Sequence, residues 1–389
     1  MDVETLAALR TPAGVAALAT AARLARTDPL AAATAMRSGG VEPTLAAAAL
    51  TQAQLRRRAV DKFGPAADRM YFTRAGLEQA TRSVVADRRA ARLAAAGVRT
   101  LADLGCGVGS DALAAARAGI TVYAVDADPL TAAVAAANAA ATGLADRITV
   151  ECADATGVPV ERYDAVFADP ARRRTGGGRV FDPRAYSPPW TFVAGLAGRV
   201  PRTVLKLAPG IDHALLPPGA EGEWVSVRGD LVEAAFWCGP LAEVPRRASV
   251  LPDAGLTGTG AQRAPVGAVG DYLYDPDPAV VRAHLVAELA DTLGGRLADP
   301  DIAYVYADRP LDTPLARRLA VTDVLPFSLK RLRALLRERG VGRVEIRKRG
   351  SALEPDRLRR ELRLSGPNPA ALVLTRVAGA PIVLVCRAA

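Results

Sequence analysis

The stretch that most constrains this chain runs from Thr100 to Asp111, TLADLGCGVGSD. Leu101, Ala102 and Leu104 form a short apolar run, glycines follow at 105, 107 and 109, and Asp111 to Arg117 continues with helical composition. That pattern predicts a strand, a glycine turn and the start of a helix. Glycines admit positive φ and place no Cβ in the way of a ligand lying across the turn. The free N–H groups of the helix start point at the same place.

Further carboxylates recur at predicted strand ends. Val122 to Asp126 reads as a second strand, Ile148 to Cys152 with Asp154 as a third, and Tyr163 to Asp169, followed by Pro170, as a fourth. In an open parallel sheet these side chains collect along the C-terminal edge, where such folds bind ligands. The series resembles the class I S-adenosylmethionine-dependent methyltransferases, over roughly Tyr71 to Leu251. The resemblance implies a Rossmann-like seven-stranded α/β sheet. It also implies S-adenosyl-L-methionine as cofactor, with Asp103, Gly105, Cys106, Gly107 and Gly109 facing the methionine end. Asp126 would then take the ribose hydroxyls, Asp154 the adenine amino group, and Asp169 with Pro170 would form the catalytic face toward the methyl acceptor.

Gly107 to Ala112 also fits the GxGxxG/A pattern of nicotinamide-binding domains, with Asp126 near the distance expected of a ribose ligand. Three features favour methyl transfer: Asp103 inside the strand end, the Asp169-Pro170 pair, and the absence of residues suited to hydride chemistry. A structural role alone, with carboxylates that merely cap helices, would require four aligned strand ends to coincide.

The chain has 389 residues, enough for two or three domains. No apolar run approaches the roughly 18 residues of a membrane span, and the start, MDVETLAALR, lacks the basic pattern of a signal peptide. Cys106, Cys152, Cys238 and Cys386 are scattered singly, which fits reduced thiols and argues against zinc or disulfide scaffolds. The expectation is a cytoplasmic protein without metal. Net charge is +9, and its distribution matters more than its size: residues 310–389 hold 17 Arg and Lys against 7 Asp and Glu, whereas residues 1–309 hold 33 against 34. Arginine outnumbers lysine 46 to 4, a bias that base composition explains, but base composition does not segregate charge. Positive charge gathered on one domain points to a polyanion, with RNA the leading candidate.

Taken in order, residues 1–70 are alanine-rich. Thr11-Pro12 and Asp28-Pro29 look like helix starts and Gly39-Gly40 like a stop, so a helical region is expected. Residues 71–251 make the methyltransferase domain, opening with FTRAGLEQAT and one helix reaching about Ala96. After Asp169-Pro170 come Ala171, Arg172, Arg173 and Arg174, then three glycines. This reads as a mobile loop whose Arg172 and Arg173 clamp the acceptor. Methyltransferases acting on exocyclic amines often carry D/N-P-P and an aromatic residue. Here Ala171 and Arg172 stand in the last two places. Residues 252–271, rich in Gly and Pro, read as a linker.

Residues 272–389 form a second, basic α/β domain. Pro278 to Leu293 reads as a helix, Leu329 to Arg339 as a helix between Ser328 and Gly340, and Val344 to Arg349 as a strand. This region resembles the THUMP-like domain at the C-terminus of a bacterial methyltransferase family, and THUMP domains proper bind RNA. Lys330, Arg331, Arg333, Arg337, Arg347 and Arg349 are the expected phosphate contacts. Together these readings describe an RNA methyltransferase acting on a base nitrogen of tRNA or rRNA. The rivals are a small-molecule or protein methyltransferase, and a cofactor-binding RNA module without turnover.

Overall fold

The computed structural model describes residues 1–172 and 186–388. Arg173, Arg174 and the glycines that follow lie outside them. The chain divides into two compact units, one of Met1–Leu207, Ile211–Ala220 and Phe236–Ala242, the other of Ala208–Gly210, Glu221–Ala235 and Glu243–Ala389.

The first unit opens with four helices, α1 (Val3–Leu9), α2 (Pro12–Leu24), α3 (Pro29–Ser38) and α4 (Pro43–Phe63). Asp2, Thr11, Asp28 and Glu42 cap them by accepting first-turn N–H groups, and α2 to α4 carry proline at the first helical position. Leu6, Leu9, Leu18, Met36 and Leu55 are buried. Next come α5 (Arg74–Gln79) and α6 (Ser83–Ala95), where one helix was expected. The break has a visible cause: the Lys62 ammonium takes the carbonyls of Leu77, Glu78 and Ala80, and Thr81 turns its hydroxyl to Asp111.

Alternating strands and helices follow: β1 (Thr100–Leu104), α7 (Ser110–Arg117), β2 (Thr121–Asp126), α8 (Pro129–Ala141), β3 (Ile148–Cys152), β4 (Ala165–Ala168), the short pair β5 (Ala171–Arg172) and β6 (Tyr186–Ser187), α9 (Trp190–Arg199) and β7 (Thr203–Leu207). Strands β3, β2, β1, β4 and β7 lie side by side, all parallel. Strand order reverses between β1 and β4, and that crevice is where open α/β sheets take ligands. With β8 (Glu221–Val227), β9 (Asp230–Trp237), β10 (Arg246–Leu251) and β11 (Ala254–Gly258) the sheet order is β11-β10-β8-β9-β7-β4-β1-β2-β3. The expected seven strands are therefore extended by two. The stretch expected as a linker contains β11, which pairs antiparallel with β10.

The second unit continues with β12 (Tyr272–Pro276), α10 (Pro278–Arg282), α11 (Val286–Thr292), β13 (Arg296–Leu297), β14 (Val305–Ala307), β15 (Ala316–Pro326), α12 (Leu329–Glu338), β16 (Val341–Lys348), α13 (Pro355–Leu362), β17 (Asn368–Val377) and β18 (Ala380–Ala388). Where one helix was expected over Pro278 to Leu293, α10 and α11 are separated by His284, at φ +62°. The sheet order is β13-β14-β12-β15-β18-β17-β16, and only β16 and β17 run parallel. Leu332 and Leu336 of α12 and Leu358 and Leu362 of α13 pack on Leu372, Leu374, Val383 and Val385, which turns the basic faces of both helices outward.

Candidate active site

The glycine turn forms as its residues dictate. Gly105, Gly107 and Gly109 all adopt positive φ, and the N–H groups of Gly105 and Cys106 both donate to the Val125 carbonyl, tying the turn to β2. At Gly105 a Cβ would lie 3.0 Å from the Asp169 carbonyl oxygen, so glycine here lets the chain leaving β4 pass close to the turn. At Gly107 a Cβ would point into open space, leaving room for a bound group above the backbone.

Asp103 is fully buried, and neither carboxylate oxygen has a hydrogen-bond partner among the described residues. Burial, reinforced by the charges of Asp111 and Asp169, pushes its pKa well above the ordinary carboxylate range. Nearby, Arg89 pairs with Asp111 and lies over the Phe167 ring. Asp126 accepts from the Gly107 N–H at 3.1 Å and from the Asp128 N–H at 3.0 Å. Burial raises its pKa against the pull of those two bonds. Asp154 is exposed and accepts from the Thr156 N–H and hydroxyl, which lower its pKa. Cys106 is buried, its thiol held protonated first by burial and then by the charge of Asp103.

Asp169 bonds through its N–H to the Leu104 carbonyl, and its Oδ2 lies 2.5 Å from Lys206 Nζ. Ala168 of β4 is in register with Leu205 of β7, so the next residue on each strand brings carboxylate and ammonium together. The sequence reading missed Lys206. A signal existed, since a lysine inside the apolar run Thr203 to Leu207 is conspicuous in a chain with 4 lysines and 46 arginines.

The fold thus gathers Asp103, Gly105, Cys106, Gly107, Gly109, Asp126, Asp154, Asp169 and Pro170 along one edge of parallel strands. Arg172 belongs to β5 and Arg173 lies outside the described residues. In the second unit, Lys330, Arg331 and Arg337 are exposed. Arg333 instead donates to the Glu361 carbonyl, Arg347 pairs with Asp275 and Glu345, and Arg349 pairs with Asp275 at 2.9 Å.

Comparison with known proteins places this geometry. The chain is 37% identical over 340 residues to an uncharacterized S-adenosylmethionine-dependent methyltransferase of Mycobacterium tuberculosis, seen in strains CDC 1551 / Oshkosh and ATCC 25618 / H37Rv; the match covers 83% of this chain and 90% of the relative. The chain belongs to the S-adenosylmethionine-dependent methyltransferases. Residues 101–171 match the family described as Methyltransferase domain, residues 316–388 the family THUMP domain-like, and residues 2–59 a Domain of unknown function (DUF8688). A crystal structure named as a methyltransferase from Porphyromonas gingivalis W83 superposes with TM-score 0.71 at 21% identity, covering 90% of this chain and 92% of that one. That likeness concerns the fold.

The enzyme is therefore a class I methyltransferase with a C-terminal THUMP-like domain, and its cofactor is S-adenosylmethionine. The residues at the sheet edge fit such a group: an unpartnered buried carboxyl at Asp103, open space over Gly107, and a half-buried carboxylate at Asp126. Among the described residues no helix is long and apolar enough to cross a membrane.

Proposed function

We propose that this methyltransferase modifies a base nitrogen of tRNA or rRNA. The observation that carries the reading is the placement of positive charge: the excess lies in residues 310–389, and Lys330, Arg331 and Arg337 stand exposed on the outer side of α12, in the region that matches THUMP domain-like. Phosphate contacts of this kind position a nucleic acid without reading its sequence. Internal pairing of Arg333, Arg347 and Arg349 narrows the six expected contacts to three.

In this reading Asp103 receives the ammonium of the cofactor, Asp126 the ribose hydroxyls and Asp154 the adenine amino group, with the Gly105 to Gly109 turn beneath. The bound cofactor supplies a methyl group already activated by its sulfonium, so the protein's task is positioning and proton handling. Asp169 accepts a hydrogen bond from the acceptor N–H and takes its proton as the new bond forms. Lys206 donates to that carboxylate and fixes its orientation at the sheet edge.

A salt series of RNA binding tests the substrate class. Three phosphate contacts on single-stranded RNA give a log-log slope near minus 2, so tripling the salt costs roughly tenfold in affinity. Changing Lys330, Arg331 and Arg337 together to Glu flattens the slope and leaves cofactor affinity unchanged. Equal slopes for parent and variant would remove these residues from the interface. Labelled methyl transfer into total RNA from a strain lacking the gene, followed by nucleoside mass spectrometry, identifies the acceptor. A parent that binds cofactor and RNA but transfers nothing is a binding module, as the departure at Ala171 would then imply.

A further inference from the structure

In the second unit two opposite charges lie side by side without meeting. Arg246 of β10 and Gly258 of β11 are directly opposed in antiparallel register, so their side-chain positions share one face of the sheet. The space over Gly258 is filled by the carboxyl of Glu288, from α11: a Cβ at Gly258 would fall 2.4 Å from its Oε1. Glu288 is 8% exposed; Oε1 accepts from the Gly260 N–H at 3.3 Å, and Oε2 has no hydrogen-bond partner among the described residues. Leaving a buried carboxylate oxygen unpaired costs free energy that an aliphatic residue in the same place would avoid.

Arg246 does not supply the missing donor. Its guanidinium reaches the Pro245 carbonyl at 3.5 Å and lies over the Trp224 ring, 5.8 Å from the centroid, and it pairs with no carboxylate among the described residues. A second arginine approaches from α10: Arg282 Nε and the Trp224 indole N–H both donate to the Pro209 carbonyl, at 2.9 and 3.1 Å. His284 follows two residues later, exposed and at φ +62°, a conformation that glycine adopts more readily than any L side chain. Burial, then the charges of Arg282 and Arg246, lower its pKa, so the three basic groups lie within one another's field. Glycine at 260 keeps the ground between them clear: a Cβ there would stand 3.0 Å from Arg246 Cγ and 3.5 Å from the Ala283 carbonyl.

We propose that this is an RNA contact that reads the sugar: Arg246, flanked by Arg282 and His284, takes a phosphate of the chain, and Glu288 Oε2 accepts a hydrogen bond from the ribose 2′-hydroxyl beside that phosphate. A guanidinium matches phosphate oxygens, and the unpartnered carboxylate oxygen needs a donor, which a hydroxyl supplies and a second anion cannot. In RNA the 2′-hydroxyl and the 3′-phosphate sit on neighbouring sugar carbons, as the two charged groups here flank one cross-strand pair. DNA carries the phosphate and lacks the donor. The contact lies outside residues 316–388, the part that matches THUMP domain-like, and it rests on RNA as the substrate class.

Binding of a single-stranded RNA and of the DNA of the same sequence to the full chain tests it. Glu288→Leu removes a negative charge, so general electrostatics gives unchanged or tighter binding of both polyanions. The proposal gives the opposite for RNA: affinity falls roughly tenfold, the loss of one hydrogen bond to a charged group, while DNA binds no more weakly than it does to the parent. RNA bound by the variant as tightly as by the parent overturns the proposal, as does an equal loss for RNA and DNA. Should Glu288→Leu fail to fold, Arg246→Leu, which keeps an aliphatic stem against Trp224, decides. It should lower the log-log salt slope of RNA binding by about 0.7, one phosphate contact, and an unchanged slope overturns the proposal. If the parent binds no RNA, the substrate reading fails by itself, and adenosine 3′-monophosphate against 2′-deoxyadenosine 3′-monophosphate, followed by ligand-observed NMR, judges the site. A preference for the ribonucleotide that Glu288→Leu abolishes upholds it; equal or absent binding overturns it.

Discussion

Replacing Asp103 by asparagine keeps the shape of a fully enclosed side chain and removes its ability to carry charge. In the ligand-free protein the ionised carboxyl has no hydrogen-bond donor among the described residues, and burial together with the charges of Asp111 and Asp169 disfavours ionisation. The folded pKa therefore lies above that of the unfolded chain, so the folded state holds the proton more tightly. The cost to stability is absent below the unfolded value, grows as pH rises through the interval between the two, and is complete above the folded value. A neutral amide at this position carries none of this cost, so the melting temperature of Asp103→Asn should gain on the parent as pH increases. Binding should move the other way. A charge-assisted contact to the cofactor ammonium is worth about 1.5 to 3 kcal/mol, so the variant should bind S-adenosylmethionine roughly 10- to 150-fold more weakly. In calorimetry with buffers of different ionisation heat, the parent should release a proton on binding, because the ammonium favours the ionised carboxylate; the variant should release none from this site. Equal affinity of variant and parent, or parent heats independent of buffer, would refute the role given to Asp103.

Two further outcomes follow from the same site. Asp169→Ala should leave cofactor affinity nearly intact and slow methyl transfer at least about 100-fold, the low end for a positioned acid or base; a variant with most of its activity would place the acceptor elsewhere. For Lys62, burial with the charges of Arg82 and Lys206 brings the pKa down to about 8, against opposing pulls from Glu78 and Asp61. The unfolded chain then binds that proton more tightly between about pH 8 and the ordinary lysine value, so stability gains from this group as pH rises through that window. Thermal melts at pH 7.5 and 9.5 should show this gain as a difference between the parent and Lys62→Met; parallel curves would contradict it.

Much of this protein is decided within a few residues of chain. The apolar run at Leu101 to Leu104, the glycines after it and the capping pairs Thr11-Pro12 and Asp28-Pro29 act through local backbone preference, so the strand, the turn and the helix starts are legible in sequence. So is the row of carboxylates, because each follows its own strand. The segregation of charge into residues 310–389 is likewise plain from residue order.

The tertiary structure decided which polar groups meet. Lys206 reaches Asp169, 37 residues away, only because β4 and β7 are neighbours in matched register. Arg347, on β16, and Arg349, just past its end, alternate like solvent-facing cations, yet Asp275 on β12, more than 70 residues earlier, pairs with both. Periodicity marks a face and says nothing of what lies across it. The segment from Phe72 to Ala96 has helical composition throughout, and distant donors and acceptors at Lys62 and Asp111 break it at Ala80 to Arg82. A backbone carbonyl bonds whichever donor the fold brings to it, and helix propensity, worth under about 1 kcal/mol per residue, yields to three such bonds.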